Sequence, residues 1–186
     1  MAEEAQALAQ SLAAPTVWLA LCPSDTCPDN NRLLPDGSVR LFDFENAGWR
    51  SAASEAAYCR VPFCTCWCVN RLPEGLTARM EQAFLDAFGL AGEDLGPFGA
   101  AVDRAAAAYT LSTFEWFRRF VHDDRPVGPP GRAVITGRRY VYARLVAMAA
   151  WPDRSPALAE LAAGVADRLI ARWPAAAVMP LYPAFR

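Results

Sequence analysis

A short turn near the N-terminal end, Pro35-Asp36-Gly37, is the sequence feature that most constrains how this chain can fold. Proline fixes its own φ angle, aspartate can accept a hydrogen bond from the backbone two residues on, and glycine tolerates positive φ. Short runs containing valine, leucine and phenylalanine lie on both sides of the turn, at residues 32–34 and 38–44. The pattern predicts a β-hairpin whose two strands are these runs.

Most of the remaining chain has apolar residues at helical spacing, so the sequence predicts an α-rich α+β fold in which the hairpin is small. Helices are predicted at 3–13, at 76–88, at 101–121, around Val134, Val141, Leu145 and Met148, and from Pro156 to Leu169. Ser155 is the predicted N-cap of the last helix. The expected organisation is a single domain over residues 1–186, ending in an extended tail at 174–186.

Composition and charge argue against several classes of function. The formal net charge is -2, so no electrostatic case exists for binding nucleic acid. All 18 basic residues are arginine, so no lysine can serve as a phosphate ligand or general base. No apolar run is long enough for a membrane span, and the first residues lack a basic signal-peptide region. We therefore expect a cytoplasmic protein whose cysteines are mostly reduced.

Three oxygen-bearing side chains are predicted to converge beside the hairpin. Asp25 and Asn30 belong to one irregular loop, and Asp43 ends the second strand, which the turn folds back towards that loop. Carboxylate and amide oxygens are the ligands that Mg²⁺ prefers, with waters and substrate phosphates completing its shell. An aspartate near an acceptor hydroxyl and two metal ligands are the groups that phosphoryl transfer needs.

The segment Asp25-Thr26-Cys27-Pro28-Asp29-Asn30, the hairpin and Asp43-Phe44-Glu45 together resemble the aminoglycoside phosphotransferase and choline kinase-type family of the protein-kinase-like superfamily. That family's loop runs His-Gly-Asp, four residues, then Asn, and a later triplet is Asp-Phe/Trp-Glu/Asp. The segment Glu55-Ala56-Ala57-Tyr58 resembles the family's Asp-Leu-Ala segment. The resemblance covers roughly residues 5–175, the family's helical C-terminal lobe.

The resemblance implies ATP- and Mg²⁺-dependent phosphoryl transfer to a hydroxyl of a small polar molecule. Asp25 would be the catalytic residue that orients or deprotonates the acceptor. Asn30 and Asp43 would hold the Mg²⁺ that bridges the ATP phosphates. The hairpin would carry the catalytic loop and the metal-binding aspartate, while the acceptor molecule stays unspecified.

Two departures from the family pattern shape this expectation. Pro23 and Ser24 stand where histidine and glycine are usual. The family also places a β-rich ATP-binding lobe with a lysine before the loop, whereas here 24 residues precede Asp25 and there is no lysine. We therefore expect a truncated enzyme whose exposed apolar face meets a partner lobe, a second copy of the chain, or a helix formed by residues 1–14.

Two other functions stay open at this point. One is a non-catalytic relic or binding module that retains the lobe's fold. The other is a thiol-based metal protein, because Cys64, Cys66 and Cys68 alternate along the chain and would share one face of a strand. Structural zinc sites favour cysteine pairs with two to four residues between them and a fourth ligand, whereas only one residue separates these cysteines, so buried thiols are the simpler interpretation. The single histidine, His122, is expected near a helix C-terminus, where its charge would complement the helix dipole.

Overall fold

The structure, a computed structural model, describes residues 2–14, 16–61, 66–67, 70–112, 114–131, 135–150 and 155–186. Within this part of the chain, the α-rich α+β class predicted from the sequence is confirmed. The helices are α1 (Ala2–Ala13), α2 (Ala52–Arg60), α3 (Leu76–Phe88), α4 (Leu95–Ser112), α5 (Phe114–Asp123), α6 (Gly137–Ala149) and α7 (Pro156–Arg172). The strands are β1 (Leu19–Cys22), β2 (Asn31–Leu33), β3 (Val39–Leu41), β4 (Gly48–Ser51), β5 (Pro126–Val127) and β6 (Ile135–Thr136). None of the described helices has the length and apolar character needed to cross a bilayer.

The predicted hairpin is confirmed as the antiparallel pair of β2 and β3, in which Asn31 lies opposite Leu41. Its turn has the expected chemistry. The carboxylate of Asp36 accepts a hydrogen bond from the backbone N–H of Ser38 at 2.9 Å, and Gly37 has a φ of 83°. A residue with a Cβ would be strained at that φ, so glycine is needed at this position.

A second antiparallel pair, β1 with β4, lies between the hairpin and the helices. Cys22 at the end of β1 is opposite Gly48 at the start of β4. The loop at 23–30 therefore leaves β1 at the same end of this pair as the segment at 42–47 enters β4. This register brings the residues before β2 and those after β3 to the same region of the molecule.

Two large apolar clusters form the core, and α4 contributes to both. The first joins α2 to α4 through alanines and the buried side chains of Phe98 and Val102, with Trp18 packed edge-on against Phe98. The second joins α1, α4, α6 and α7 and includes Leu8, Leu145 and Leu158. The small residues of α2 let this helix lie close to α4. This packing holds α2, the helix that follows the hairpin, in place.

Several boundaries differ from those that the sequence predicts. The helix expected at 101–121 begins earlier, at Leu95; the described residues are helical to Ser112 (α4) and from Phe114 (α5), and Thr113 lies outside them. The tail at 174–186 is not simply extended, because short 3₁₀ turns at Pro174–Ala177 and Pro183–Phe185 flank a bridge between Leu181 and Arg71. Val134 lies outside the described residues, while Val141, Leu145 and Met148 are buried on α6 as expected.

Candidate functional site

Asp25 lies on the loop between β1 and β2, and two groups hold its carboxylate. Its Oδ1 atom accepts a hydrogen bond from the backbone N–H of Cys27 at 3.3 Å and one from the hydroxyl of Tyr58 at 3.2 Å. Tyr58 is buried on α2, so the helix after the strands positions the aspartate. Sequence reasoning assigned no role to Tyr58, which is three residues after Glu55 and therefore on the same side of α2.

Two asparagine side chains close the loop on itself. The Nδ2 atom of Asn30 donates to the carbonyl of Asp25 at 3.1 Å, and that of Asn31 donates to the carbonyls of Thr26 and Cys27 at 3.2 and 2.6 Å. These bonds satisfy backbone acceptors that an irregular loop would otherwise leave to water. Asn30 is therefore tied to the backbone of Asp25, as the convergence argument requires.

Asp43 follows β3 and is brought to the same end of the hairpin as Asn30. The backbone N–H of Phe42 donates to the carbonyl of Asn30 at 3.1 Å, which makes Asp43 the next residue after that contact. Asp43 has a φ of 66°, in the left-handed region that costs energy for a residue with a Cβ. Aspartate is one of the few non-glycine residues that adopt this region routinely, and Asp124 does so as well, so the conformation alone assigns Asp43 no role.

The oxygen atoms offered by Asn30 and Asp43 suit a hard cation. Among the described residues, no donor contacts the Oδ1 atom of Asn30 or the carboxylate of Asp43. The Asp43 side chain is exposed, so waters or phosphate oxygens could complete a coordination shell. This donor set fits Mg²⁺ better than zinc, because zinc sites in proteins favour sulfur and imidazole ligands.

A second carboxyl group, Glu55 on α2, supports the start of the loop. Its Oε1 atom accepts a hydrogen bond from the backbone N–H of Ser24 at 3.0 Å, and Ser24 has a φ of 67°. Burial raises the pKa of the Glu55 carboxyl above its usual value, although the bond from Ser24 acts in the opposite direction. Glu55 thus anchors the strained residue that directly precedes Asp25.

The cysteines behave in two different ways. Cys27 on the loop forms a disulfide with Cys66, so the expected reduced state does not apply to this pair, and the bond links the loop to the segment after α2. Cys22 and Cys59 are buried free thiols, and burial raises the pKa of each to about 11, so both stay protonated and unreactive at neutral pH. Cys64 and Cys68 lie outside the described residues.

One cluster of possible metal ligands among the described residues differs from the predicted one. Ligand atoms of Cys27, Asp29 and Cys66 lie within 4.8 Å of one another. The Oδ2 atom of Asp29 also accepts a hydrogen bond from the indole N–H of Trp67 at 3.0 Å. Because Cys27 and Cys66 are bonded to each other, their sulfur atoms are not available as thiolate ligands in this state.

His122 lies in the last turn of α5, as the sequence predicts. Its Nδ1 atom is 2.9 Å from a carboxylate oxygen of Asp123, and its side chain is 85% exposed. This exposed pair lies on a different element from the loop that carries Asp25. His122 therefore fits the helix-end interpretation.

Two cavities stand out in the described part of the chain, and neither is lined by Asp25, Asn30 or Asp43. One, of about 690 Å³, lies among the end of α1, the strands β1 and β4, and α4. The other, of about 500 Å³, lies between α6 and the segments at 70–77 and 176–179. Asp25, Asn30 and Asp43 therefore lie on the loop and hairpin, outside the lining of both cavities.

Comparison of the chain with protein-family models, curated proteins and solved structures finds no match.

Proposed function

We propose that this chain is the helical lobe of an aminoglycoside phosphotransferase-like protein that transfers a phosphoryl group from ATP, with Mg²⁺, to a hydroxyl of a small polar molecule. The observation that carries the proposal is the arrangement around Asp25. Its carboxylate is held by Tyr58, its backbone carbonyl is held by Asn30, and Asn30 in turn contacts the residue before Asp43. Hydrogen bonds thus connect Asp25 to Asn30 and Asn30 to Phe42, which brings Asp43, the next residue along the chain, to the same end of the hairpin.

Each residue of this cluster would have a separate task. Asp25 would accept a hydrogen bond from the acceptor hydroxyl and take its proton as the new oxygen–phosphorus bond forms, while the bond from the γ-phosphorus to ADP breaks and ADP leaves. Asn30 and Asp43 would bind the metal through oxygen atoms that no described donor occupies. When bound, Mg²⁺ supplies neutralisation of the charge on the phosphate oxygens. Tyr58 would keep the Asp25 carboxylate in position between turnovers.

A partner surface is part of the proposal. Nine large apolar residues on and beside the strands are exposed: Val17, Leu19, Leu21, Leu33, Val39, Leu41, Phe42, Phe44 and Trp49, here called the apolar strand residues. Helix α1 does not cover them, because it packs on α4 and α7. Exposed apolar residues at this density are typical of an interface. We infer that a β-rich nucleotide-binding lobe or a second copy of the chain binds there and completes the ATP site.

The decisive experiment is a calorimetric titration of the intact chain with ATP, with and without Mg²⁺. Asp43→Ala should abolish the Mg²⁺-dependent part of the heat, because it removes the exposed carboxylate ligand. Asp36→Asn is the matched control. It changes an acid at the opposite end of the same hairpin and keeps an oxygen for the N–H of Ser38. Circular dichroism of both variants would check that the hairpin and helices are retained.

A non-catalytic binding module is the second candidate, and one observation favours it. The carboxylate of Asp25 is already engaged by Tyr58 and Cys27, and the cluster lines neither of the two cavities. If the intact chain binds no ATP with Mg²⁺ while remaining folded, this candidate becomes the better account. Binding that Asp43→Ala leaves unchanged would remove Asp43 as a metal ligand.

A further inference from the structure

The 500 Å³ cavity beside α6 has the composition of a ligand site rather than a packing defect. Most of its wall residues come from three separate parts of the chain: the segment at 70–77, helix α6 and the segment at 176–179, with Val61 after α2 completing the lining. The backbone N–H of Arg71 donates to the carbonyl of Pro180, and the N–H of Tyr182 donates to the carbonyl of Arg71, so the first and third walls are fastened together. A volume of this size falls within the usual range for small-molecule sites.

Asn70 supplies an unpartnered acceptor in the wall of this cavity. The residue is only 3% exposed, and its Oδ1 atom is buried with no hydrogen-bond partner among the described residues. Buried side-chain oxygens in folded proteins are nearly always paired, and an unpaired one calls for a water, ion or ligand. The cavity is therefore expected to receive a molecule that presents an N–H or O–H donor to Asn70.

Positive charge dominates the polar part of the lining. Arg71, Arg139 and Arg144 line the cavity together with one acid, Glu74. The Nε atom of Arg139 donates to the carbonyl of Ala175 at 3.3 Å, and neither Arg139 nor Arg71 forms an ion pair with a described residue. Guanidinium groups without an acidic partner bind carboxylates through paired N–H donors. The ligand should therefore carry a carboxylate.

The rest of the lining is apolar and includes Val61, Leu72, Ala147 and Met179. Such side chains bind an apolar body, and the few polar groups set its orientation. Arg144 is buried, stacks over the ring of Tyr140 at 4.2 Å and donates to its hydroxyl. This arrangement keeps one cationic group at a fixed place in the wall.

We propose that this cavity binds a small carboxylic acid with an apolar body and a hydroxyl or ammonium group beside the carboxylate. The carboxylate binds the arginines, the donor group binds the Oδ1 atom of Asn70, and the apolar body lies against Leu72 and Met179. An ammonium group would in addition be attracted by Glu74. The inference goes beyond the proposed phosphoryl transfer, because none of its residues belongs to the cluster around Asp25.

Four related probes test the chemistry on the intact chain by calorimetry or ligand-observed NMR. L-phenylalanine and L-3-phenyllactate carry both the carboxylate and the donor group. 3-Phenylpropanoate lacks the donor, and L-phenylalaninol lacks the carboxylate. We expect the first two to bind saturably, the third to bind about threefold to tenfold more weakly, and the fourth at least about tenfold more weakly. A preference for phenylalanine over phenyllactate would identify the donor as ammonium, and the reverse as hydroxyl.

Two variants connect the binding to the named residues. Asn70→Ala should weaken phenyllactate or phenylalanine but leave 3-phenylpropanoate unchanged, because only the first two have a donor for Asn70 to accept. Arg139→Gln should weaken all three acids by about tenfold, because it removes a guanidinium. Arg168→Gln is the matched control, since Arg168 is exposed on α7 and does not line the cavity.

Three results would each show that the proposal is wrong. It is wrong if none of the four probes binds the folded chain at millimolar concentration, or if Asn70→Ala weakens 3-phenylpropanoate as much as it weakens the hydroxy and amino acids. It is also wrong if Arg139→Gln behaves like Arg168→Gln. Thermal unfolding of each variant checks that the fold is kept. Should Asn70→Ala unfold, the comparison of Arg139→Gln with Arg168→Gln still tests the proposal. The one hydrogen bond that the Arg139 side chain makes to a described residue is to the backbone carbonyl of Ala175, so this substitution should leave the fold intact.

Discussion

At the scale of single residues, the loop around Asp25 is organised by side chains that replace missing backbone partners. Asn30 and Asn31 satisfy carbonyls within the loop, and Glu55 satisfies the N–H of Ser24. Ser24 and Asp43 both have positive φ, a conformation that β-carbon-bearing residues adopt at a cost. The hydrogen bonds from neighbouring residues offset that cost on the Ser24 side. They also hold Asp25 close to α2, where Tyr58 donates to it.

A pH prediction follows from the burial of Glu55. Because burial raises the pKa of this carboxyl above its usual value of 4.5, the folded chain binds a proton there more tightly than the unfolded chain. That contribution to stability is present below the unfolded pKa and is lost as pH rises through the higher folded pKa. Glu55→Gln cannot titrate, so the free energy of unfolding of the native chain, minus that of the variant, should fall as pH rises above the usual carboxyl pKa of 4.5.

Urea unfolding of both proteins at several pH values measures this difference. A constant difference across the range would show that Glu55 titrates in the folded chain as it does in the unfolded chain. Asp36→Asn should show the opposite pH dependence, because the hydrogen bond from the Ser38 hydroxyl lowers the pKa of the native Asp36 carboxyl. Stability arising from a lowered pKa is present above the unfolded pKa and is lost as pH falls through the folded one.

At the scale of elements, the N-terminus of α7 shows how a distant segment can replace a local cap. Ser155 occupies the N-cap position and Pro156 the first helical position, as the sequence predicts, but the Ser155 side chain makes no capping hydrogen bond. The carboxylate of Glu4 accepts from the N–H groups of Ala157 and Leu158 instead, at 3.1 Å each. A negative charge at this end of a helix also interacts favourably with the helix dipole. Helix α1 is thereby attached to α7.

Removing this long-range cap should destabilise the chain more than removing the local one. Glu4→Ala leaves two N–H groups without their acceptor, so we expect the free energy of unfolding to fall by about 1–2 kcal/mol. Ser155→Ala removes no capping hydrogen bond to a described residue and should change the free energy of unfolding by less than about 0.5 kcal/mol. Chemical denaturation of both variants compares the two positions directly. If Ser155→Ala proved the more damaging change, the capping role of Glu4 would be rejected.

The helix pair α5 and α6 shows a steric limit on element packing. Gly137 begins α6 where an added Cβ would lie 2.5 Å from the carbonyl oxygen of Phe120. The backbone N–H of Gly137 also donates to the carbonyl of Arg125 at 3.0 Å. Any larger residue at 137 would have to push α6 away from α5, so this close approach depends on glycine.

At the scale of the whole molecule, the helices bury their apolar residues while the strands do not. Leu33 and Trp49 are each 71% exposed, and Val17 is 88% exposed, whereas the alanines of α2 and the core of α4 are buried. The paired strands β1 and β4 therefore pack against α2 but leave large side chains such as Leu21 and Trp49 exposed to solvent. This imbalance supports the proposal that the apolar strand residues form an interface.

The interface proposal predicts concentration-dependent self-association or capture of a second lobe through the strands. For the chain alone, Trp49→Glu should raise the dissociation constant of a self-associated form at least about tenfold, because a large apolar contact is replaced by a charge. Leu161→Glu is the control, since Leu161 is also exposed but lies on α7. Sedimentation velocity over a range of concentrations measures both. A chain that stays monomeric at all concentrations would exclude the second copy and leave the separate lobe as the occupant.

Several local features were determined by the sequence alone. The Pro35-Asp36-Gly37 turn was predictable because its chemistry acts within four residues, and α1, α3 and α7 were predictable because their apolar periodicity is strong. The proximity of Asn30 and Asp43 was also predictable, because a tight hairpin returns the chain to its starting point. Each of these depends on interactions between neighbours in the chain.

Only the tertiary structure decided the features that join distant segments. The bond from Tyr58 to Asp25 spans 33 residues, and the cap from Glu4 to α7 spans more than 150. The disulfide of Cys27 with Cys66 and the cavity beside Asn70 likewise depend on how elements pack. Periodicity indicates which face of a helix is apolar, but not which partner covers it or which polar group that partner provides. The physical reason is that packing free energy is shared among segments whose separation along the chain carries no information about their contact.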